Sequence, residues 1–138
     1  MEKIKERFNT AEKTLTFLKK AINDFETLQE KEYLEHLRNS KIQSFEFCVD
    51  TLWKFLRLYF KKIYGVDLEP GPKPTFRYCF KAGLVNEEEA KQLLNIVDDR
   101  NLSSHTYHEE FAEELNNRIE KHYLLMKKIV DQIKTKLI

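Results

Sequence analysis

The strongest helix-breaking residues of this chain are gathered in one place. Its only glycines and prolines are Gly65, Pro70, Gly71, Pro72, Pro74 and Gly83. Glycine and proline are the residues a helix interior tolerates least. The sequence before position 65 and after position 83 is therefore free to run in long helices, and its apolar spacing says that it does. Ile4, Phe8, Ala11, Leu15, Leu18, Ile22 and Phe25 recur at steps of three and four, which places them on one stripe of a first helix. A second stripe runs Ile42, Phe45, Val49, Leu52, Leu56, Tyr59 and Ile63, with Trp53 and Phe60 widening it and Asn39-Ser40 as the expected cap. The segment from Phe25 to Arg38 fits either an extension of the first helix or a short helix of its own.

Gly65 is expected to stop the second helix, and the stretch to Pro74 to form a loop. A short helix, Thr75 to Lys81, is expected before Gly83. Asn86 with Glu89 three residues on has the form of a capping box, opening a helix that carries Ala90, Leu93, Leu94 and Val97. The last helix keeps Phe111, Leu115, Ile119, Tyr123, Met126, Val130, Ile133 and Leu137 on one face, with Thr106 and Glu109 as its expected capping box. No alternating strand pattern occurs. The expected fold is all-α: an antiparallel up-and-down bundle of four main helices plus a short extra one, in a single domain over residues 1–138.

The chain has 138 residues and a formal net charge of +1, so no global field draws it to nucleic acid or lipid. The charge is nevertheless uneven. Lys54 to Lys81 holds seven basic residues and two acids, whereas Asn86 to Glu120 holds ten acids against Lys91, Arg100 and Arg118. Cys48 and Cys79 lie far apart with no paired-ligand spacing, and Cys48 sits among apolar residues as a small core residue. The N-terminus leads into no apolar segment, and no stretch has the length to span a bilayer, so a cytoplasmic protein is expected.

Candidate chemistry concentrates at residues 98–107, Asp-Asp-Arg-Asn-Leu-Ser-Ser-His-Thr-Tyr. Arg100 is permanently cationic and suited to phosphate; His105 can exchange a proton near neutral pH. Five residues on one helix amount to about 500°, so the two would not share a face. Ser103-Ser104 imply a break, with Arg100 ending one helix and His105 just before the next, where free N–H groups favour an anion. On RNA, such a pair would assist attack of a 2′-hydroxyl on the adjacent phosphorus by moving protons and stabilising charge. One chain supplies one such histidine; a symmetric dimer would supply two.

The run Arg100 to Tyr107 resembles the R-x4-H-x-Y signature of HEPN proteins, and specifically their branch of nucleotidyltransferase substrate-binding proteins. Ile42 to Phe47 with Trp53-Lys54, Pro74 to Val85, and His108 to Tyr123 also match that branch, so the resemblance spans about Phe17 to Tyr123. It implies a helical homodimer that works with a cognate minimal nucleotidyltransferase, the pair acting as toxin and antitoxin. It implies a metal-independent endoribonuclease in which Arg100 stabilises phosphate, His105 transfers protons and Asn101 orients the site. It also implies that the partner enzyme transfers AMP to Tyr107, putting anionic bulk beside the phosphate site. The alternative is a non-catalytic subunit that binds nucleotide or substrate for a two-component nucleotidyltransferase, and a plain helical scaffold is the third possibility. The chain lacks the Gly-Ser and spaced aspartates of a nucleotidyltransferase, so it is not expected to be one.

The signature lies in the acidic half, so attraction for RNA or a partner must come from elsewhere. Lys54, Arg57 and Lys61, at helical spacing, together with Lys73 and Arg77, are the candidates. His105, His108, Glu109 and Glu110 lack a third ligand at a recognisable spacing, so no metal is expected, and no cofactor. His36 and His122 are expected at the surface or on helix flanks.

Overall fold

The structure is a computed structural model that describes residues 2–28, 33–105 and 109–137, residue 105 through its backbone. Among the described residues there are five α-helices and no strand: α1 (Glu2–Thr27), α2 (Leu34–Tyr64), α3 (Pro72–Lys81), α4 (Glu87–Leu102) and α5 (Glu109–Leu137), with a 3-10 turn at Ser103–His105 between the last two. They form an antiparallel helical bundle. None of these helices is long and apolar enough to cross a membrane.

The centre of the bundle is α2, which packs against each of the other four helices. That explains why its apolar surface is wider than one stripe. Phe45, Cys48, Val49, Leu52, Phe55, Leu56, Tyr59 and Phe60 are all buried, because a helix covered on several sides must be apolar on several sides. Ile63, by contrast, is exposed where the helix runs out of the bundle. The N-terminal stripe of α1 and the long face of α5 close on α2 with Ile4, Leu15, Leu18, Leu115, Ile119, Met126 and Ile133. Cys48 and Cys79 are both in this core, and burial pushes each thiol up to about 12. Both remain protonated and unreactive at neutral pH.

Two boundaries differ from the sequence-based expectation. The second helix starts at Leu34, five residues before the expected Asn39-Ser40 cap, which lies inside it. The extra turn is held by Arg38, buried and bonded through both terminal nitrogens to the Glu109 carboxylate at the start of α5. The third helix starts at Pro72, three residues before the expected Thr75. Its first turn contains Pro72 and Pro74, which fit because N–H groups there have no acceptor within the helix. The expected end of α2 is found: Gly65 adopts φ 69°, and its N–H donates to the carbonyl of Lys61 while that of Val66 donates to Phe60. The capping box of α4 is also found, with Asn86 and Glu89 bonded reciprocally. Thr106 of the last expected capping box lies outside the described residues.

Candidate functional site

The junction between α4 and α5 has the form the sequence predicts. Arg100 is in the last turn of α4, a 3-10 turn carries residues 103–105, and α5 begins at Glu109. Asn101 is exposed on the final turn of α4. The His105 side chain and Tyr107 lie outside the described residues.

Arg100 does not project from this corner alone. Its Nε and Nη2 donate to the two oxygens of Asp50, at 3.1 and 2.9 Å, and its Nη1 donates to Glu46 at 3.1 Å. Ser103 Oγ donates to the same Glu46 oxygen at 2.6 Å. Glu46 and Asp50 are one turn apart on α2, so a single face of that helix receives the whole fork of the guanidinium. The Asp50 hydrogen bond holds Arg100 above its ordinary pKa, with the Asp50 and Glu46 charges adding to it against partial burial. Two carboxylates face one guanidinium, so the cluster is net negative. Two of the five guanidinium N–H bonds are left over for a ligand. Together with Arg38–Glu109 on the far side, this ties both ends of the junction to α2.

Arg100→Met is therefore expected to destabilise the fold by about 2 kcal/mol, because it strands two half-buried carboxylates. Adding Glu46→Gln and Asp50→Asn to Arg100→Met should restore at least half of that loss in a urea titration. No restoration would mean that the arginine is not chiefly a clamp.

The neighbouring residue on α4, Asp99, points about 100° away from Arg100 and is buried. It accepts from Arg118 Nε and Nη2 at 2.9 and 2.7 Å, and His122 Nε2 lies 2.7 Å from it. Gln92 Nε2 is 3.3 Å from His122 Nδ1, which fits an imidazole that accepts at Nδ1 and donates from Nε2 to the carboxylate. His122 is thus buried between α4 and α5, stacked on Phe45 at 5.8 Å, and not on a helix flank as the sequence reading expected. His36 is exposed. Among the described residues no three His, Cys, Asp or Glu side chains gather as metal ligands.

The five basic candidates separate. Lys54, Arg57 and Lys61 line one cavity of about 450 Å³, together with Lys3, Arg7, Trp53, Leu58 and Asp67. Lys73 instead pairs with Asp98 at 2.9 Å, and Arg77 lines a shallow apolar hollow with Phe80, Ala90 and Leu94. Lys3 and Arg7 were not among the candidates from sequence, although their spacing of four on α1 is the same signal as Lys54, Arg57 and Lys61 on α2.

Comparison with known proteins covers nearly the whole chain. The family model described as nucleotidyltransferase substrate binding protein like matches residues 6–135. A crystal structure of a protein from Thermus thermophilus is 32% identical over 88% of this chain and 97% of its own, with a TM-score of 0.77. A protein from Haemophilus influenzae, described as showing the fold of a substrate binding domain of a nucleotidyltransferase, shares the fold at a TM-score of 0.79 and 21% identity, over 92% of this chain and 98% of its own. No curated protein matches the sequence.

Proposed function

This chain belongs to the nucleotidyltransferase substrate binding protein like family, and we propose on that footing that it is the non-catalytic subunit of a two-component nucleotidyltransferase. In this reading it docks on a separate catalytic chain and binds the nucleotide or substrate for it. The observation that carries the reading is the state of Arg100. Three of its N–H groups are committed to Asp50 and Glu46, in a cluster whose net charge is negative. A cation held this way organises the α4–α5 corner for recognition, and it is poorly placed to receive a dianionic transition state. The buried, protonated Cys48 and Cys79 add no nucleophile.

A second reading has one specific observation in its favour. The last turn of α4 and the 3-10 turn place Arg100 and the backbone of residue 105 at one corner, as a metal-independent endoribonuclease toxin would require. In that reading two protomers of a homodimer bring their corners together, and His105 takes the 2′ proton of RNA as the 2′ oxygen bonds to phosphorus. The 5′ oxygen leaves with a proton from His105 of the other protomer, Arg100 bears the charge, Asn101 orients the phosphate, and a minimal nucleotidyltransferase silences the site by transferring AMP from ATP to the Tyr107 oxygen with release of pyrophosphate.

The two readings separate in one assay series. The purified chain is mixed with the minimal nucleotidyltransferase of the same genome, and transfer is followed against substrate concentration. The binding-subunit reading expects the chain to lower the KM of that enzyme, and purified chain to leave RNA intact. RNA cleavage by the chain alone, abolished in His105→Ala, would replace it with the second reading.

A further inference from the structure

The groove between the start of α1 and the second half of α2 carries an unbalanced charge. Lys3, Arg7, Lys54, Arg57 and Lys61 surround it, against the single carboxylate of Asp67. Elsewhere Arg38, Lys73, Lys91, Arg100, Arg118, Lys127, Lys128 and Lys134 each reach a carboxylate. Among the described residues none of the five groove cations takes part in an ion pair. A chain of net charge +1 that gathers five cations around one cavity holds them against their mutual repulsion, which an anionic ligand would relieve.

The groove is also partly organised without a ligand. Arg57 Nε donates to the carbonyl of Leu68 at 3.0 Å, fixing its guanidinium under the loop that follows α2. Arg7 Nη1 reaches the carbonyl of Lys54 at 3.4 Å, linking the two helices across the groove. Each guanidinium retains N–H groups for an acceptor. Trp53, the one tryptophan of the chain, is half-buried in the same lining and offers an aromatic face beside the cations.

We propose that this groove binds a nucleoside triphosphate, its phosphates held by Lys3, Arg7, Lys54, Arg57 and Lys61 and its base against Trp53. Two features favour this ligand over an RNA strand. The cavity of about 450 Å³ is of the size that takes one small molecule. Its lining includes the carboxylate of Asp67, and Glu2, Glu6 and Glu69 stand close to its residues in sequence, whereas an RNA track needs positive charge that continues. The choice of a nucleotide among polyanions rests on the binding-subunit reading; the anion site itself rests on the groove.

Isothermal titration calorimetry of the full chain tests this with ATP, inorganic tripolyphosphate and a short single-stranded RNA. ATP and tripolyphosphate should both bind, with affinity falling as salt rises. ATP should bind more tightly, and Trp53→Leu should bring it down to the affinity of tripolyphosphate. Lys54→Glu with Lys61→Glu should weaken both by at least about tenfold, while the exposed Lys20→Glu on α1 should change neither. Equal binding in the double variant, or no binding of either anion by a folded wild-type chain, overturns the inference. So does RNA binding more tightly than ATP, which would make the groove an RNA surface. Anion binding lost while the chain still assembles with the nucleotidyltransferase removes this inference and leaves the binding-subunit reading standing. Assembly absent with ATP binding intact does the reverse.

Discussion

Asp99→Ala is expected to lower the unfolding free energy by about 3 kcal/mol, among the largest losses for any single polar side chain here. Asp99 is buried and accepts from two partners, Arg118 and the buried His122. Removing it leaves the His122 ring without its acceptor and a guanidinium without its counter-charge. The same contacts fix the sign of a pH effect. Burial alone would raise the Asp99 pKa, but the hydrogen bonds from His122 and Arg118, with the charge of Arg118, hold it below its ordinary 3.8. A carboxylate with a depressed folded pKa stabilises the fold fully above its unfolded value. That contribution disappears as pH falls through the folded value. Wild type should therefore lose stability below about pH 4, and Asp99→Asn, which keeps an acceptor for His122 but cannot ionise, should lose less over that limb. Chemical denaturation at pH 7 and pH 3 measures both, and parallel acid limbs for the two proteins would contradict the assignment.

Phe60→Ala should cost more, about 3–5 kcal/mol, because it empties a full aromatic ring from the core. Phe60 is fully buried. Its ring meets Tyr59 at 5.7 Å, Tyr64 at 5.7 Å and Tyr78 at 4.8 Å, all near edge-to-face. Tyr78 belongs to α3, so this cluster is what seats the short helix on α2. Phe60→Leu keeps most of the volume and should cost about 1–1.5 kcal/mol. For a chain of this size the alanine variant should lower Tm by roughly 10–15 °C. A drop of only a few degrees would mean that the cavity collapses or that α3 is seated by other contacts.

The helices were legible because their signals are local. Apolar steps of three and four, one cluster of glycine and proline, and the Asn86–Glu89 box each act within a few residues. The boundaries that moved did so for tertiary reasons: α2 begins early where Arg38 finds Glu109 across 71 positions, and α3 begins early because proline is harmless in a first turn. The partners of Arg100 were not legible. Asp50 and Glu46 lie 50 and 54 positions away, and no spacing rule links them to the signature. His122 carries a signal of its own in the sequence, since it stands three residues after Ile119 on the buried face of α5. Lys3 and Arg7 show the helical spacing in sequence, but that they share a groove with Lys54, Arg57 and Lys61 follows only from the packing of α1 on α2.

The junction of α4 and α5 is thus built as a braced corner, with Arg100 joining α4 to α2 and its neighbour Asp99 joining α4 to α5. Bracing of this kind suits a surface that recognises a partner. Sedimentation velocity of the chain mixed with a catalytic nucleotidyltransferase chain tests the proposed partner role most directly. A faster-sedimenting species containing both proteins is the predicted result. Two proteins that sediment independently at micromolar concentration, each folded, would contradict it.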